Sequence, residues 1–424
     1  PYIFKFRGTY YMYSSSRDVE IRCWKSKDLI SWSEAIVCST DPIAKNAYAP
    51  EVVYWNGIFY MYTSPQGNGH YVLTSNSPTG PFVSASGNLQ KKIDGSVFID
   101  DDAKWYFYHA NSSGIQGCTM SNPTSFGTSV NLNAQMNGQW TEAPCLIKRN
   151  GIYYLLYTGN HVWSNGYRVD YAINATQNPI SMYTPQMDQN PVLINTEGSF
   201  VGLGHGTAFI GPDLDTYYFT YHNLVRIGGG VAPARKFNYD RMAWNGNKLL
   251  ILGPTNWAQQ PPALANADFF ERADIGVDWS MPNGGNWSIK NKDLLSQDKM
   301  EGEYKAIFTP YSESDYTAEF TIKEVATNGN DAKFGVVFSY KDEQNYGVAL
   351  LNVSSNQLEI NFQVNNVWGT VQCYELPVGF NYRVWHSIRI EKNMQNYKFF
   401  IDGLHKATLT SNLDGGQIGY MTRN

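Results

Sequence analysis

Three residues of types that do acid–base chemistry sit just ahead of a recurring strand phrase. They are Asp94 in Ile93-Asp94-Gly95-Ser96, Glu142 in Trp140-Thr141-Glu142-Ala143-Pro144, and His205 in Gly204-His205-Gly206-Thr207. Asp94 and Glu142 each lie nine positions before the phrase that follows them, at Ala103 and Gly151, and His205 lies ten before Asp215. Acids favour turns and surfaces, so acids delivered in step to strand starts need a reason. One reading is that they cap hairpins or pair with Arg and Lys. The other is chemical. Two neighbouring carboxylates resist simultaneous ionisation, so one keeps a proton near neutral pH. A protonated and an ionised carboxyl flanking a bond are the equipment for glycoside hydrolysis. On this reading Glu142 is a general acid, Asp94 raises its pKa, and His205 with an arginine grips hydroxyl groups.

The phrase that would position these groups occurs five times: GTYYMY from Gly8, GIFYMYT from Gly57, AKWYFYH from Ala103, GIYYLLYTG from Gly151 and DTYYFTYHN from Asp215. The starts are 49, 46, 48 and 64 residues apart. Such a period marks a repeat in which each unit is one small sheet, and five units arranged radially make a β-propeller. Each phrase reads as the second strand of a hairpin. Asn56-Gly57 and Asn150-Gly151 suit type I′ turns, and the other turns run through Asp100-Asp101-Asp102 and Gly211-Pro212-Asp213. The acidic triplet reads as a turn rather than a calcium loop.

The predicted fold is all-β: a five-bladed β-propeller over 1–258, a stiff Gln/Pro-rich linker over 259–266, and an antiparallel β-sandwich over 267–424. The sandwich is read from alternating strands such as Tyr316–Ile322, Phe334–Tyr340 and Leu358–Phe362. A chain of 424 residues with 42% hydrophobic and 15% aromatic residues can fill two cores, and 16% charged residues argue against disorder. A net charge of −5 without basic blocks argues against nucleic acid as partner. No apolar run is long enough to span a membrane. The five cysteines show no metal-ligand spacing and read as buried free thiols, with Cys23 and Cys38 able to pair. Aromatic residues near the strand starts could stack on sugar rings. Tyr48, Phe98, Trp140 and Trp163 are the candidates, with Glu51 as a rim contact or a hydrogen-bonded strand residue.

Seven stretches taken in order resemble glycoside hydrolase family 43: PYIFKFRGTYYMYSS, SKDLISW, YAPEVVYWNGIFYMYTS, IDGSVFIDDDAKWYFY, EAPCLIKRNGIYYLLYTG, GHGTAFIGPD and ARKFNYDRMAWNGNKL. The resemblance implies a five-bladed propeller and an inverting glycosidase with a base Asp, a tuning Asp and an acid Glu. Asp94 matches the tuning Asp, Glu142 the acid, and Arg235 an arginine reaching toward the sugar. His205 matches a central histidine that in some members approaches calcium or sodium through water; no cofactor is otherwise expected. The base of the family is the Asp of an Asp-Pro pair opening the first blade. Pro1 matches that proline, so the base is expected as an Asp immediately before Pro1. Asp18 and Asp28 are poor substitutes, lying beyond the hairpin and in a surface phrase. The expected substrates are plant cell-wall polymers and oligosaccharides (arabinan, arabinoxylan, xylo-oligosaccharide). They would be attacked exo-wise as by an α-L-arabinofuranosidase or β-D-xylosidase, in a secreted or periplasmic protein. Alternatives are endo-arabinanase or exo-galactanase activity, a non-catalytic carbohydrate-binding propeller, and β-fructosidase-like chemistry. The second part resembles laminin-G or concanavalin-like sandwiches, through Trp385–Glu391 and Tyr397–Gly403, and is expected to be an accessory module.

Overall fold

The computed structural model describes residues 1–16, 18–136, 140–226, 233–298, 301–325 and 332–423. Its regular structure is strand, apart from a short 3₁₀ turn at Pro42–Ala44. The chain divides into two compact units, Pro1–Leu264 and Ala265–Asn424.

The first unit holds five small antiparallel sheets in chain order. Blade one runs Tyr2–Phe6, Thr9–Tyr13, Ile21–Ser26 and Ile36–Ser39, each strand paired with the next. The innermost strands of the following blades are Ala47–Trp55, Ser96–Ile99, Thr141–Arg149 and, in blade five, Val201–Gly204 with Ala208–Ile210. The innermost strand of blade one touches those of blades two and five, which closes the ring. Specific bonds stitch four of the five seams near the axis. Tyr2 donates its hydroxyl to the Val52 carbonyl, Ser96 donates to the Glu51 carboxylate, the Ala208 N–H points at Cys145 Sγ, and the Ile3 N–H reaches Thr207 Oγ1.

The aromatic phrases form the second strand of each blade and fill the space between blades. Tyr62 and Phe107 pack across one seam, and Tyr154 packs with Tyr221 and Phe219 in another. The predicted turns form as read: both residues of Asn56-Gly57 and of Asn150-Gly151 have positive φ, as a type I′ turn demands. Asp100–Asp102 is a turn, closed by the Ala103 N–H on the Asp100 carbonyl, and Lys148 holds Asp100 and Asp101.

The second unit carries an eight-stranded sheet, in which Lys333–Asp342, Asn345–Asn352 and Gln357–Val364 are neighbours, and a four-stranded sheet, Tyr316–Ile322, His386–Asn393, Asn396–Ile401 and Leu404–Thr410. Alternate residues of both, among them Phe320, Phe338, Ile360, Ile388 and Phe399, share one core, the signature of a sandwich. All five cysteines are free; Cys373 is exposed, contrary to the expectation of buried thiols, because it lies on the outward face of the short strand Gln372–Glu375. No helix among the described residues is long and apolar enough to cross a membrane.

Candidate active site

Each innermost strand of blades two to five opens with the same backbone device. Ala49, Asp94, Ala143 and His205 all have left-handed φ, at 43°, 58°, 53° and 52°. The ladders of blades two, four and five slip register nearby, between Tyr48 and Glu51, Glu142 and Cys145, and Val201 and Gly204. Bulges of this kind re-aim side chains, and left-handed non-glycine residues are strained and concentrate at functional sites. Pro or Gly follows each one. Gly206 has no alternative, since a Cβ there would stand 1.5 Å from the Thr220 carbonyl oxygen. At Gly95 a Cβ would strike the Phe107 ring at 2.1 Å and His70 Nε2 at 2.6 Å.

Aligning the bulges shows that Asp94 and His205 occupy the left-handed position itself, whereas Glu142, like Tyr48, precedes it by one. The equal nine-residue spacing of the two acids therefore conceals a one-residue offset. The side chains nonetheless converge. Ligand atoms of Asp94, Glu142 and His205 lie within 4.8 Å of one another. His205 Nδ1 is 3.8 Å from Asp94 Oδ2 and 4.0 Å from Glu142 Oε1.

Both carboxyls are buried, and burial drives both pKa values up. Asp94 rises well above the carboxylate range, from burial and then from the charge of Glu142, against the pull of the Ala143 N–H and Arg235. Its Oδ2 is buried without a hydrogen-bond partner, so its bonding capacity is open to a ligand. Glu142 is pulled back by hydrogen bonds from Tyr167 and Trp140 and by Arg235. Coupled carboxyls of this kind titrate as a pair rather than singly, and both resist ionisation. His205 is driven well below its ordinary value, chiefly by burial, and is a neutral imidazole. The backbone N–H of His205 donates to Thr158 Oγ1 at 3.0 Å.

The remaining predicted residues divide. Arg235, exposed on the Ala234–Asn245 strand opposite Leu224, acts electrostatically on both acids and on His205. Tyr48, Trp140 and Trp163 are exposed aromatics. Tyr48 borders Gly67, itself against Ile93 beside Asp94. Trp140 and Trp163 flank His161, with ring centroids 4.7 Å and 5.7 Å from it. Glu51 is not a rim contact: it is buried at the seam, accepts bonds from Ser96 Oγ and the Val97 N–H, and is pushed up to about 8 by burial. Phe98 does not face a ligand either. It packs edge-on against Tyr153, 5.9 Å away, because strand alternation turns it between blades three and four. Three residues went unforeseen. Tyr167 donates to Glu142 Oε1 and stacks on buried His222 at 5.4 Å, and His70 Nε2 accepts the Gly95 N–H at 2.8 Å beside Asp94. Burial holds His70 at about 3, so its ring is a neutral acceptor there.

By distance, Asp94, Glu142 and His205 could hold a metal ion. A cation ligated by both carboxylates would keep both ionised and strip Glu142 of the proton an acid must give. Calcium moreover takes six to eight oxygens, and this cluster offers two carboxylates and a nitrogen. Direct calcium ligation and acid chemistry at Glu142 do not fit together.

A closed five-bladed propeller with two buried carboxyls and a neutral histidine at its hub carries the equipment of glycoside hydrolysis. Residues 1–249 match the model of glycosyl hydrolases family 43. The chain belongs to that family of inverting glycoside hydrolases, and it is a glycosidase. Among curated relatives it is 30% identical over 133 residues to a xylosidase/arabinosidase of Butyrivibrio fibrisolvens, covering 27% of this chain and 26% of that protein's length. It is 25% identical over 271 residues to a β-D-galactofuranosidase of Aspergillus niger, covering 57% of this chain and 77% of that one. Among solved structures, a thermostable family-43 glycoside hydrolase is 26% identical with a TM-score of 0.56, covering 62% of this chain and 96% of its own. The BlXynB protein of Bacillus licheniformis shares the fold at 18% identity and a TM-score of 0.54, covering 100% and 94%.

Proposed function

We propose that the protein releases terminal pentose units from arabinan, arabinoxylan or xylo-oligosaccharides, as an α-L-arabinofuranosidase, a β-D-xylosidase or both. The observation that carries this reading is the buried Asp94–Glu142 pair beside neutral His205. Glu142 gives its proton to the glycosidic oxygen as the bond to the anomeric carbon breaks. A base carboxylate on the opposite face takes a proton from the water that attacks that carbon, and the configuration inverts. Asp94 keeps Glu142 protonated until that step, and Arg235 and His205 hold sugar hydroxyls. Trp140 and Trp163 offer apolar ring faces for the leaving sugar.

The base is proposed as an Asp immediately before Pro1. The Pro1 nitrogen is buried and interacts with Asp94 and Arg235, so a residue joined to it would enter the same pocket. The turnover needs no metal on this proposal; a calcium or sodium ion would sit beyond His205, held through water. Polymeric substrates place the work outside the cytoplasm, in a secreted or periplasmic protein.

The pentose reading is supported by the Butyrivibrio relative's name; the longer match, to a galactofuranosidase, favours a second reading in which a furanoside of galactose is cleaved. The nitrophenyl glycosides of α-L-arabinofuranose, β-D-xylose and β-D-galactofuranose decide between them. They are to be assayed with protein carrying Asp ahead of Pro1 and with protein carrying Ala there. Release from the first or second only with Asp supports the proposal. Release only from the third selects the second reading. Equal rates with Ala remove the proposed base.

A further inference from the structure

The second unit has a recess on the outer face of its eight-stranded sheet. The register sets Val348 opposite Asn361, Leu350 opposite Glu359 and Tyr346 opposite Gln363, and Gln363 in turn opposite Trp368. Opposed residues share a face, and this face looks away from the core filled by Leu358, Ile360 and Phe362. Val348 and Leu350 form an apolar floor, and Trp368 and Val371 line the recess above it. Trp368 is 38% exposed, and its ring is held edge-on against Tyr346, with centroids 5.3 Å apart at 85°. An aromatic fixed in this way presents a face to a ligand at little entropic cost.

The charged groups at the recess are already matched. Glu359 holds Lys333 at 2.7 Å and the Asn352 amide at 2.6 Å, and Arg423 binds Glu303 at 2.6 Å. An ionic ligand would therefore find no unpaired countercharge. Uncharged hydrogen-bonding capacity is what remains. Asn361, 9% exposed, lines the recess, and its Oδ1 accepts the Phe362 N–H. One step along the same face, Gln363 is 5% exposed and its Oε1 is buried with no partner, while its Nε2 binds Asn366. Buried amide groups in folded proteins nearly always find a partner, so the unmatched Gln363 oxygen, directly opposite the fixed Trp368, marks unused hydrogen-bonding capacity next to the recess. The cavity is about 140 Å³, below the ~300 Å³ lower end of sites for drug-sized molecules. It has room for a single ring.

The geometry points to a carbohydrate-binding site here, taking one unit of a neutral glycan with its C–H face on Trp368 and its hydroxyls on Asn361 and the Arg423 guanidinium. That the glycan is a pentose polymer rests on the function proposed for the propeller; the existence of the site does not. Such a site would hold polymer on the protein while the hub works on chain ends.

The test is affinity electrophoresis of the full chain through gels containing arabinoxylan, arabinan, galactan or mixed-linkage glucan. Glu142→Gln is the background throughout, so that polymer survives the run. Trp368→Ala and Val371→Glu are each expected to weaken retardation at least fivefold in the gel that retards the parent, whichever it is. Trp368→Phe should keep most of it. With Glu142 restored, both disruptive variants should melt like the parent and turn over an aryl glycoside within twofold of it. Val371 is on the exposed rim, so its replacement reports on the recess even where Trp368→Ala misfolds. Equal retardation of parent and Val371→Glu overturns the proposal, as does a parent retarded by none of the four. Retardation by glucan or galactan alone keeps the site and changes the sugar. A hub that turns over no pentoside fails the functional reading and leaves the recess standing.

Discussion

Tyr167→Phe isolates one hydrogen bond in the proton balance of the hub. The Tyr167 hydroxyl donates to Glu142 Oε1 inside a buried pocket, and its ring stacks on His222. Phenylalanine keeps the ring and the stack and removes only the donor. A hydrogen bond to a charged group contributes about 1.5–3 kcal/mol. It favours ionised Glu142, so its loss raises the pKa of the acid. At about 1.4 kcal/mol per pH unit, the alkaline limb of kcat/KM should move up by about one to two units. The assay is a pH profile on an arabino- or xylo-disaccharide, whose sugar leaving group needs the proton that a nitrophenolate does not. His222→Ala, which removes the stack and leaves the donor, should move the limb much less. A limb that stays put or moves down in Tyr167→Phe would refute the assignment of Glu142 as the acid whose proton the limb reports.

Asp94→Asn should slow the disaccharide at least 10²-fold and shift the same limb down, because Glu142 then no longer titrates together with a second buried carboxyl. It should also raise Tm at pH 7 and leave it unchanged near pH 3. The folded pKa of Asp94 lies above its unfolded value, so the cost of burying it is absent below the ordinary carboxylate range and grows as pH rises through it. Gly206→Ala should cost at least about 3 kcal/mol in denaturant melts, since the Thr220 carbonyl 1.5 Å away is backbone and must move. Chelation with EDTA should leave turnover intact; loss restored by calcium would place a required cation at the hub.

The repeat was legible because each blade needs the same alternating aromatic strand to fill a seam, and that pattern survives in local sequence. Asn-Gly turns and the sandwich strands could be read for the same reason: local residues decide them. The meeting of Asp94, Glu142 and His205 could also be read, since a propeller brings equivalent positions to one axis. The offset between the two acids could not. It depends on which residue of each bulge is left-handed, and the differing hairpin lengths of blades three and four cancel it in the residue count. Phe98 was misplaced, and Glu51 was left open between rim contact and hydrogen-bonded strand residue, because a strand start says which residues are near the hub, not which side of a seam each one faces. Tyr167 and His70 reach the pocket from outer segments whose separation carries no periodic signal, and His222, although inside the fifth phrase, is tied to it only through its stack on Tyr167.

The central claim is that a glycosidic bond is cleaved between Glu142 and a base ahead of Pro1. A crystal structure of the Glu142→Gln variant, carrying Asp before Pro1 and soaked with an oligosaccharide it binds, tests this most directly. The account predicts the scissile oxygen within about 2.6–3.2 Å of the residue 142 side chain, with a water held by the preceding Asp on the other face of the anomeric carbon. A sugar bound with its glycosidic oxygen out of reach of residue 142, or with both carboxyls on one face, would contradict it.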